Sequence, residues 1–228
     1  MQHDDAAARP LPARPLAVFD LDGTITRRDT FTPYVFRWLA LRPHRWWRLA
    51  GMIPVSLAFA TGRADRGALK GQLLHVTLGG QSRTTVQAWS SAFVARLLRS
   101  GVHAGALERI RWHQAAGHRL VLMSASVDCY VALVGERLGF DTTICSRARW
   151  DRDGRLDGRL DGPNCRGERK LEVLRELLRE EMVNESWGYG NSRADVPHLL
   201  AVTHPVYVNG DPGPLPAGAP AFERVTWR

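Results

Sequence analysis

The chain has 228 residues, of which 44% are hydrophobic and 24% are charged. That length and composition exclude a fibre, a short peptide and global disorder, and they suit one domain with a substantial insertion. The formal net charge of +8 predicts affinity for phosphates, nucleic acid or anionic lipid surfaces without specifying an activity.

Residues 1–15 are rich in alanine, arginine and proline and contain no apolar run. We expect a disordered arm there that does not act as a secretion signal. The stretch 49–61 comes nearest to a membrane span, but it is too short and Pro54 interrupts it, so we expect no span. The three cysteines fit neither a disulfide framework nor a zinc site, which favours a cytoplasmic location.

The first short apolar run, at 16–19, ends in an acidic residue and predicts a buried parallel strand that opens into a loop. The long segment after it has helical spacing and little strand character. Its predicted helices lie at 33–40, 44–60, 65–76, 84–99 and 104–116. This pattern predicts an all-helical cap, at 31–116, inserted into the fold.

Further apolar runs follow the insertion and predict the remaining strands, at 120–123, 142–145, 186–189 and 206–208. Helix-like segments at 129–138 and 168–182 separate most of them. The alternation predicts an α/β fold with a Rossmann-like parallel sheet and helices on both faces. We assign 16–30 and 117–228 to this catalytic core.

A small repeat of Asp-Gly pairs lies at 153–162. One interpretation is a calcium loop, but the spacing departs from the EF-hand pattern and no acid stands at its closing position. Asp-Gly pairs favour tight turns because glycine accepts positive φ. We therefore predict a structural hairpin.

The stretch Asp20-Leu21-Asp22-Gly23-Thr24 places two carboxylates two residues apart at the end of the first strand. A turn at the glycine can bring the second carboxylate beside the first. Two acids so placed can divide nucleophilic and proton-transfer roles, provided that a cation offsets their repulsion. The pattern indicates a magnesium site, and the alternative is a solvated acidic turn.

The stretch 19–24 resembles the first motif of the haloacid-dehalogenase-like phosphohydrolases. Three later elements of the chain resemble the other motifs of that family. Ser124 resembles the second motif, because it directly follows an apolar strand. Lys170 resembles the third, a lysine near the start of a helix, and the stretch 190–195 resembles the fourth. The four elements occur in the family's order, and the helical insertion after the first is similar to that of the phosphoserine-phosphatase-like branch.

The resemblance implies a phosphatase that works through an aspartyl-phosphate. Asp20 would be the nucleophile, and Asp22 would protonate the departing alkoxide and later activate water. Ser124 and Lys170 would bind the transferred phosphoryl group. These roles come from the family and are expectations for this chain.

The resemblance also implies a Mg²⁺ cofactor held by Asp20, Asn191, the backbone carbonyl of Asp22 and Asp195, the last either directly or through water. Where most relatives have a first acid in the fourth motif, this chain has Asn191. Its amide oxygen can coordinate but adds no charge, so we expect reduced metal affinity.

The expected substrate is a small phosphorylated alcohol or amino acid, such as a phosphoserine-like compound. Phosphoserine phosphatases contact the substrate through an acid nine residues after the nucleophile, and Asp29 has that position here. The alternative role for Asp29 is to cap the helix that follows.

A second hypothesis is a lipid phosphate at the membrane surface, because the stretch 20–31 is similar to bacterial phosphatidylglycerophosphatase C. The stretch 42–48 combines arginines with Trp46 and Trp47, which suits an anionic membrane interface, and the alternative is an amphipathic cap helix with a buried tryptophan. A non-catalytic phosphate- or nucleic-acid-binding protein is a third hypothesis. No nucleic-acid recognition motif supports it, so we expect no nucleic-acid partner, and nothing in the sequence specifies an oligomeric state.

Overall fold

The computed structural model describes residues 14–228, so most of the predicted arm lies outside the described residues. Eight strands are present: β1 Leu16–Phe19, β2 Arg119–Val127, β3 Thr142–Ser146, β4 Ala148–Trp150, β5 Leu156–Leu160, β6 Ser186–Gly190, β7 His204–Val208 and β8 Glu223–Val225. Six of them form a parallel sheet in the order β3-β2-β1-β6-β7-β8. The predicted parallel α/β sheet is confirmed, and β8 extends it by one strand that the sequence pattern did not indicate.

Helices cover both faces of the sheet, as the apolar character of β1 predicts. Ala17 and Phe19 pack into the core on one face, and Leu16 and Val18 pack into a second cluster on the other. The core helices after β2 are α6 Asp128–Leu138, α7 Glu168–Glu180 and α8 Val196–Leu199. The strand ends therefore meet at one buried edge, where the first motif lies.

The segment between β1 and β2 is helical throughout. It contains α1 Phe31–Ala40, a 3-10 helix at Pro43–Met52, α2 Ile53–Ala60, α3 Arg66–Leu78, α4 Arg83–Ser100 and α5 Ala104–Ala115. Side chains cap two of these helices at their start: Asp65 accepts from the backbone N–H of Ala68, and Ser82 accepts from that of Thr85.

The prediction of a single helix at 44–60 is wrong. The structure divides it into the 3-10 helix Pro43–Met52 and the short helix α2. Pro54 has no N–H to donate to the carbonyl of residue 50, so a continuous α-helix cannot pass through this point. None of the residues in either helix is buried, so tertiary packing does not restore the α-helical form.

Helix α5 falls within the predicted cap range, 31–116, but it packs on the sheet. His113 is fully buried, and its Nε2 lies 2.8 Å from the hydroxyl of Tyr189 in β6. The His113 ring also contacts the ring of Phe19 edge-on. At the strand ends, the insertion contributes residues of α1, the end of the 3-10 helix and α3.

The predicted hairpin is confirmed: β4 and β5 form an antiparallel pair that packs against α3. Gly158 has a φ of +91°, and a Cβ there would lie 2.4 Å from Cα of His75. The His75 Nδ1 lies 2.5 Å from the carbonyl oxygen of Asp157. The backbone of the hairpin thus lies directly against α3.

Candidate active site

The first motif leaves β1 through a tight turn at Leu21–Ile25. Gly23 has a φ of +84° in this turn, and a Cβ there would lie 2.1 Å from Nδ2 of Asn191. Only glycine allows both the positive φ and this close approach. The turn consequently brings Asp20 and Asp22 to the same edge of the sheet as the residues that follow β6.

Lys170 joins the first motif to the fourth. Its Nζ lies 2.5 Å from Oδ1 of Asp20 and 2.9 Å from Oδ1 of Asp195, and all three residues are buried. The lysine comes from the first turn of α7, while the two carboxylates follow β1 and β6. The structure thus brings together Asp20, Lys170 and Asp195, which come from the first, third and fourth motifs.

The charges of this cluster shift one another's pKa. Burial raises the pKa of Asp20 to about 7, because Lys170 offsets only part of the desolvation and Asp195 adds repulsion. Burial alone would also raise the pKa of Asp195, but the nearby Lys170 ammonium lowers it to about 2. Burial opposes the charge of Lys170, yet the two carboxylates raise its pKa above the ordinary range. The lysine is therefore cationic and holds the two acids together.

Thr24 links Asp20 to Asn191. Its buried hydroxyl lies 3.2 Å from Oδ2 of Asp20, the oxygen that does not face Lys170, and 3.4 Å from Oδ1 of Asn191. The carboxylate and amide oxygens therefore face a common space. Thr24 belongs to the first motif but was not predicted as a site residue.

Asp22 is held by a hydrogen-bond network on its other side. Its Oδ1 accepts from the backbone N–H of Thr30 at 2.7 Å and from the Thr30 hydroxyl at 2.5 Å. Its Oδ2 accepts from the hydroxyl of Ser126 at 2.7 Å. Burial raises the pKa of Asp22 despite these hydrogen bonds. The hydrogen bonds fix the carboxyl group, and its burial favours the neutral form.

The Thr30 hydroxyl also lies 2.7 Å from that of Tyr130 in α6. Because the Thr30 proton is directed at Asp22, Tyr130 is the donor in this second contact. Thr30, Ser126 and Tyr130 were not predicted as site residues. Their signal is weak, since a threonine before a helix and a serine after a strand usually serve as caps or turns.

Ser124 lies in β2 and is fully buried, and its hydroxyl oxygen accepts a hydrogen bond from the backbone N–H of Ser126 at 3.0 Å. The next two residues, Ala125 and Ser126, line a cavity between the core and the cap. Asp29 is exposed and borders the same cavity, while its carboxylate accepts from the backbone N–H of Thr32 at 2.9 Å. The capping role of Asp29 is thus present, and the phosphate-binding role of Ser124 and the substrate contact of Asp29 stay predictions.

The acidic residues line a cavity of about 550 Å³ that lies between core and cap. Its basic lining residues are Lys170 and Arg166 from the core and Arg66 and Lys70 from α3. Such a mixed lining attracts a phosphate ester while it holds acids close to the phosphorus. Leu69 and Leu73 of α3 supply part of the apolar wall.

Lys70 is a functional candidate that sequence reasoning missed. It is half-buried, donates to the backbone carbonyl of Ala125 and lies 3.1 Å from Oδ1 of Asn164. Burial lowers its pKa to about 8, although Asp22 acts in the opposite direction. In the sequence, Lys70 is a lysine in an amphipathic helix and belongs to no motif. Such lysines are usually solvated, so the sequence gives no signal of a functional role.

Parallel strand ends that carry a buried carboxylate–lysine–carboxylate cluster, covered by a basic cap, define an enzyme site for phosphate esters. The sequence pattern of the haloacid dehalogenase-like hydrolases matches residues 17–200. The chain belongs to this family.

Known relatives agree with that assignment. The chain is 32% identical to the protein CicA of Caulobacter vibrioides over 203 residues, which cover 86% of this chain and 89% of CicA. It is 26% identical to a probable phosphatase of Mycobacterium tuberculosis over 211 residues, covering 88% and 71% of the two chains. The family and this relative support an enzyme of the phosphatase type.

Solved structures show the same fold. A phosphoserine phosphatase with an analogue of its phospho-aspartyl intermediate superimposes with a TM-score of 0.60. The superposition covers 86% of each chain at 18% sequence identity. The likeness establishes a common α/β architecture with a phosphoserine phosphatase.

The donor set at the strand ends fits the Mg²⁺ that the family implies. Within residues 14–228, no three histidine, cysteine or acidic side chains form a metal-binding group by themselves. The oxygens of Asp20 and Asn191 nevertheless face one space, and Mg²⁺ accepts such mixed oxygen ligands while it retains waters. Both oxygens of Asp195 already accept hydrogen bonds, from Lys170 and Ser192, which favours its contribution through water.

Proposed function

We propose that the chain is a Mg²⁺-dependent phosphomonoester hydrolase that works through an aspartyl-phosphate, an acyl phosphate formed on Asp20. The observation that carries the proposal is the placement of Lys170 between Asp20 and Asp195 at the ends of β1 and β6. A buried carboxylate beside a cation, in a cavity with basic walls, can approach a phosphate ester without severe repulsion.

In the first half-reaction, an oxygen of Asp20 attacks phosphorus and the bond between phosphorus and the alcohol oxygen breaks. Asp22 gives its proton to the departing alkoxide, which leaves as the alcohol. The raised pKa of Asp22 supports this role, because an acid catalyst must hold a proton when substrate binds.

In the second half-reaction, water attacks the phosphoryl group on Asp20. Asp22 is then the base that takes a proton from this water, and the Asp20 carboxylate and inorganic phosphate are released. Lys170 stabilises the anionic form of Asp20 in both steps, and the predicted role of Ser124 is to bind a phosphoryl oxygen. Thr30 and Ser126 keep Asp22 in place.

Asp20, Asn191, the backbone carbonyl of Asp22 and Asp195 would hold the metal. When bound, Mg²⁺ would neutralise charge on the phosphoryl group and on the acidic cluster. Asn191 contributes no charge of its own, so this chain should need a higher metal concentration than one with an acid at that position.

We propose a small phosphorylated alcohol or amino acid as the substrate, with Asp29 as a contact to its amino group. The cavity volume of about 550 Å³ supports a compact ester. A lipid phosphate is the second candidate, because Met52, at the end of the exposed 3-10 helix, also lines the cavity. An apolar rim of this kind would suit an ester with an acyl portion.

The nucleophile is tested with p-nitrophenyl phosphate. We expect Mg²⁺-dependent release of p-nitrophenol that stops on addition of EDTA, and Asp20→Asn should lower kcat by more than about 10³-fold. Asp153→Asn, in the exposed turn between β4 and β5, is the matched control and should retain activity. Turnover that persists in Asp20→Asn would refute the proposed intermediate.

A further inference from the structure

Large apolar side chains are exposed on one part of the cap. Of the nine that are exposed in the described chain, seven lie between residues 36 and 59: Phe36, Leu41, Trp46, Trp47, Ile53, Leu57 and Phe59. Trp47 is 76% exposed and Leu57 is 63% exposed. We call these seven residues the apolar cap surface. A concentration of this kind marks an interaction site, because scattered apolar residues would be distributed over the whole protein.

Hydrogen bonds attach the segment that carries this surface to α3. Gln72 of α3 donates to the backbone carbonyl of Gly51 at 2.9 Å. Arg48 donates to the carbonyls of His75 and Gly79 at 3.3 Å, at the C-terminal end of α3. These contacts hold the 3-10 helix against α3, and they leave Trp46, Trp47 and the whole of α2 without burial.

The charge around the apolar cap surface has one sign. Residues 30–64 include five arginines and no aspartate, glutamate or lysine. Arg37 and Arg63 are exposed, and within residues 14–228 neither forms an ion pair. Arg42 lies over the ring of Trp38, at 3.3 Å from its centroid, so its charge stays at the edge of the same surface.

We propose that the apolar cap surface docks on an anionic lipid bilayer. Indole rings beside arginines are the side chains that favour the boundary between headgroups and acyl chains, and the arginines complement anionic headgroups. A second protein of acidic character would match the charge but would not require an eight-residue helix that is apolar except for Ser56. The proposed contact is that of a helix lying on the membrane surface. Within residues 14–228, none of the helices could span a bilayer.

The apolar cap surface is next in the chain to residues that line the proposed catalytic cavity, because Met52 precedes Ile53. Met52 ends the 3-10 helix and lines the cavity, and Arg66, at the start of α3, lines it as well. Docking would thus place the cavity beside the headgroups. The docking proposal does not depend on the proposed phosphatase reaction, since it rests on exposure and charge alone.

The test is flotation of the full chain with vesicles of phosphatidylglycerol and phosphatidylcholine in equal parts, compared with vesicles of phosphatidylcholine alone. We expect binding to the anionic vesicles that weakens as salt rises, and a lower bound fraction on the neutral vesicles. The double variant Trp47→Ser/Leu57→Ser should bind the anionic vesicles at least about tenfold more weakly, because two large apolar side chains no longer enter the boundary.

Trp112→Ser is the matched control, because Trp112 is 47% exposed on α5, away from this surface. It should bind vesicles like the unaltered chain, and all variants should hydrolyse p-nitrophenyl phosphate at an unchanged rate if they are folded. Circular dichroism checks the fold independently of activity, so that failure of the phosphatase proposal leaves the docking test intact.

Two results would overturn the proposal. One is the absence of flotation with anionic vesicles, or equal loss in the control variant. The other is self-association: analytical ultracentrifugation that shows a dimer, dissociated by Trp47→Ser/Leu57→Ser, would assign the surface to a second copy of the chain.

Discussion

The hydroxyl of Thr30 lies 2.5 Å from Oδ1 of Asp22, and the backbone N–H of Thr30 donates to the same oxygen at 2.7 Å. One residue at the start of the cap therefore fixes the carboxyl group that the proposed reaction needs as acid and base. The loop that carries Thr30 connects the sheet to α1. Cap and catalytic acid are consequently joined by a direct contact.

Replacing Thr30 by valine should lower kcat about tenfold and leave KM nearly unchanged, because a hydrogen bond to a charged group contributes about 1.5–3 kcal/mol and Asp22 would lose its orientation. Steady-state kinetics with p-nitrophenyl phosphate measure this effect. Thr84→Val, at an exposed position of α4, is the control. If kcat stays within twofold of the original, the contact does not position Asp22.

Deprotonation of Lys70 should lower kcat/KM at alkaline pH and so give the pH profile an alkaline limb. Its pKa is lowered to about 8 by burial, so above pH 8 the free enzyme loses a cation that attracts phosphate, and kcat/KM should fall. Lys70→Met should raise KM about tenfold at pH 7 and remove this limb. Lys70→Arg, which stays charged at all these pH values, should keep KM low and also lack the limb. A limb that persists in both variants would assign the titration to another group.

Asn191→Asp should strengthen metal binding. The added carboxylate has the same shape as the amide, fits beside Gly23 and increases the attraction for a divalent cation. The Mg²⁺ concentration for half-maximal activity should fall about tenfold, measured by titration of EDTA-treated enzyme. Asn184→Asp, at an exposed position that precedes β6 and so lies at the opposite edge of the sheet, is the control. An unchanged Mg²⁺ titration midpoint would show that Asn191 does not bind the metal.

Acid should destabilise the protein through His113. Burial lowers the pKa of His113 from 6.5 to about 3, and His118 and Arg109 act in the same direction. Between these values the unfolded chain binds a proton that the folded chain does not. The free energy of unfolding should therefore fall as pH drops below 6.5, by up to about 1.4 kcal/mol per pH unit for this group, and show no contribution from it above 6.5.

Urea unfolding at pH 7.0, 5.5 and 4.5 measures the dependence. His113→Gln should make the slope shallower, while His44→Gln, at an exposed position, should leave it as in the original chain. Equal slopes in the original chain and the His113→Gln variant would show that other groups cause the acid sensitivity.

The sequence predicted the parts of this fold that depend on local pattern. Strands such as β1 are short apolar runs because both faces of the sheet are covered, and the acidic turn after β1 needs Gly23 whatever surrounds it. The meeting of Asp20 and Lys170 followed from a family motif, not from spacing. Their contact brings together residues 150 positions apart.

Other features depend on tertiary packing and left no local signal. Lys70 reaches the cavity because α3 packs across the strand ends, and a lysine in an amphipathic helix carries no mark of that position. The helix predicted at 44–60 is interrupted near Pro54, and packing does not restore it because none of its residues is buried. The same lack of burial reveals the apolar cap surface.

The contact between Gly158 and His75 has a consequence for how substrate enters. Two backbones touch there with no side chain between them, and the His75 ring is hydrogen-bonded to the carbonyl of Asp157. We therefore expect an outward movement of α3 to carry β4 and β5 with it, although by sequence this ribbon follows the core strand β3. Ser146, just before the ribbon, stays attached to the core through its hydroxyl, which donates to the carbonyl of Ala125 at 2.8 Å. If α3 and the ribbon move together, we expect the pivot to include position 147, more than a hundred residues downstream of Thr30.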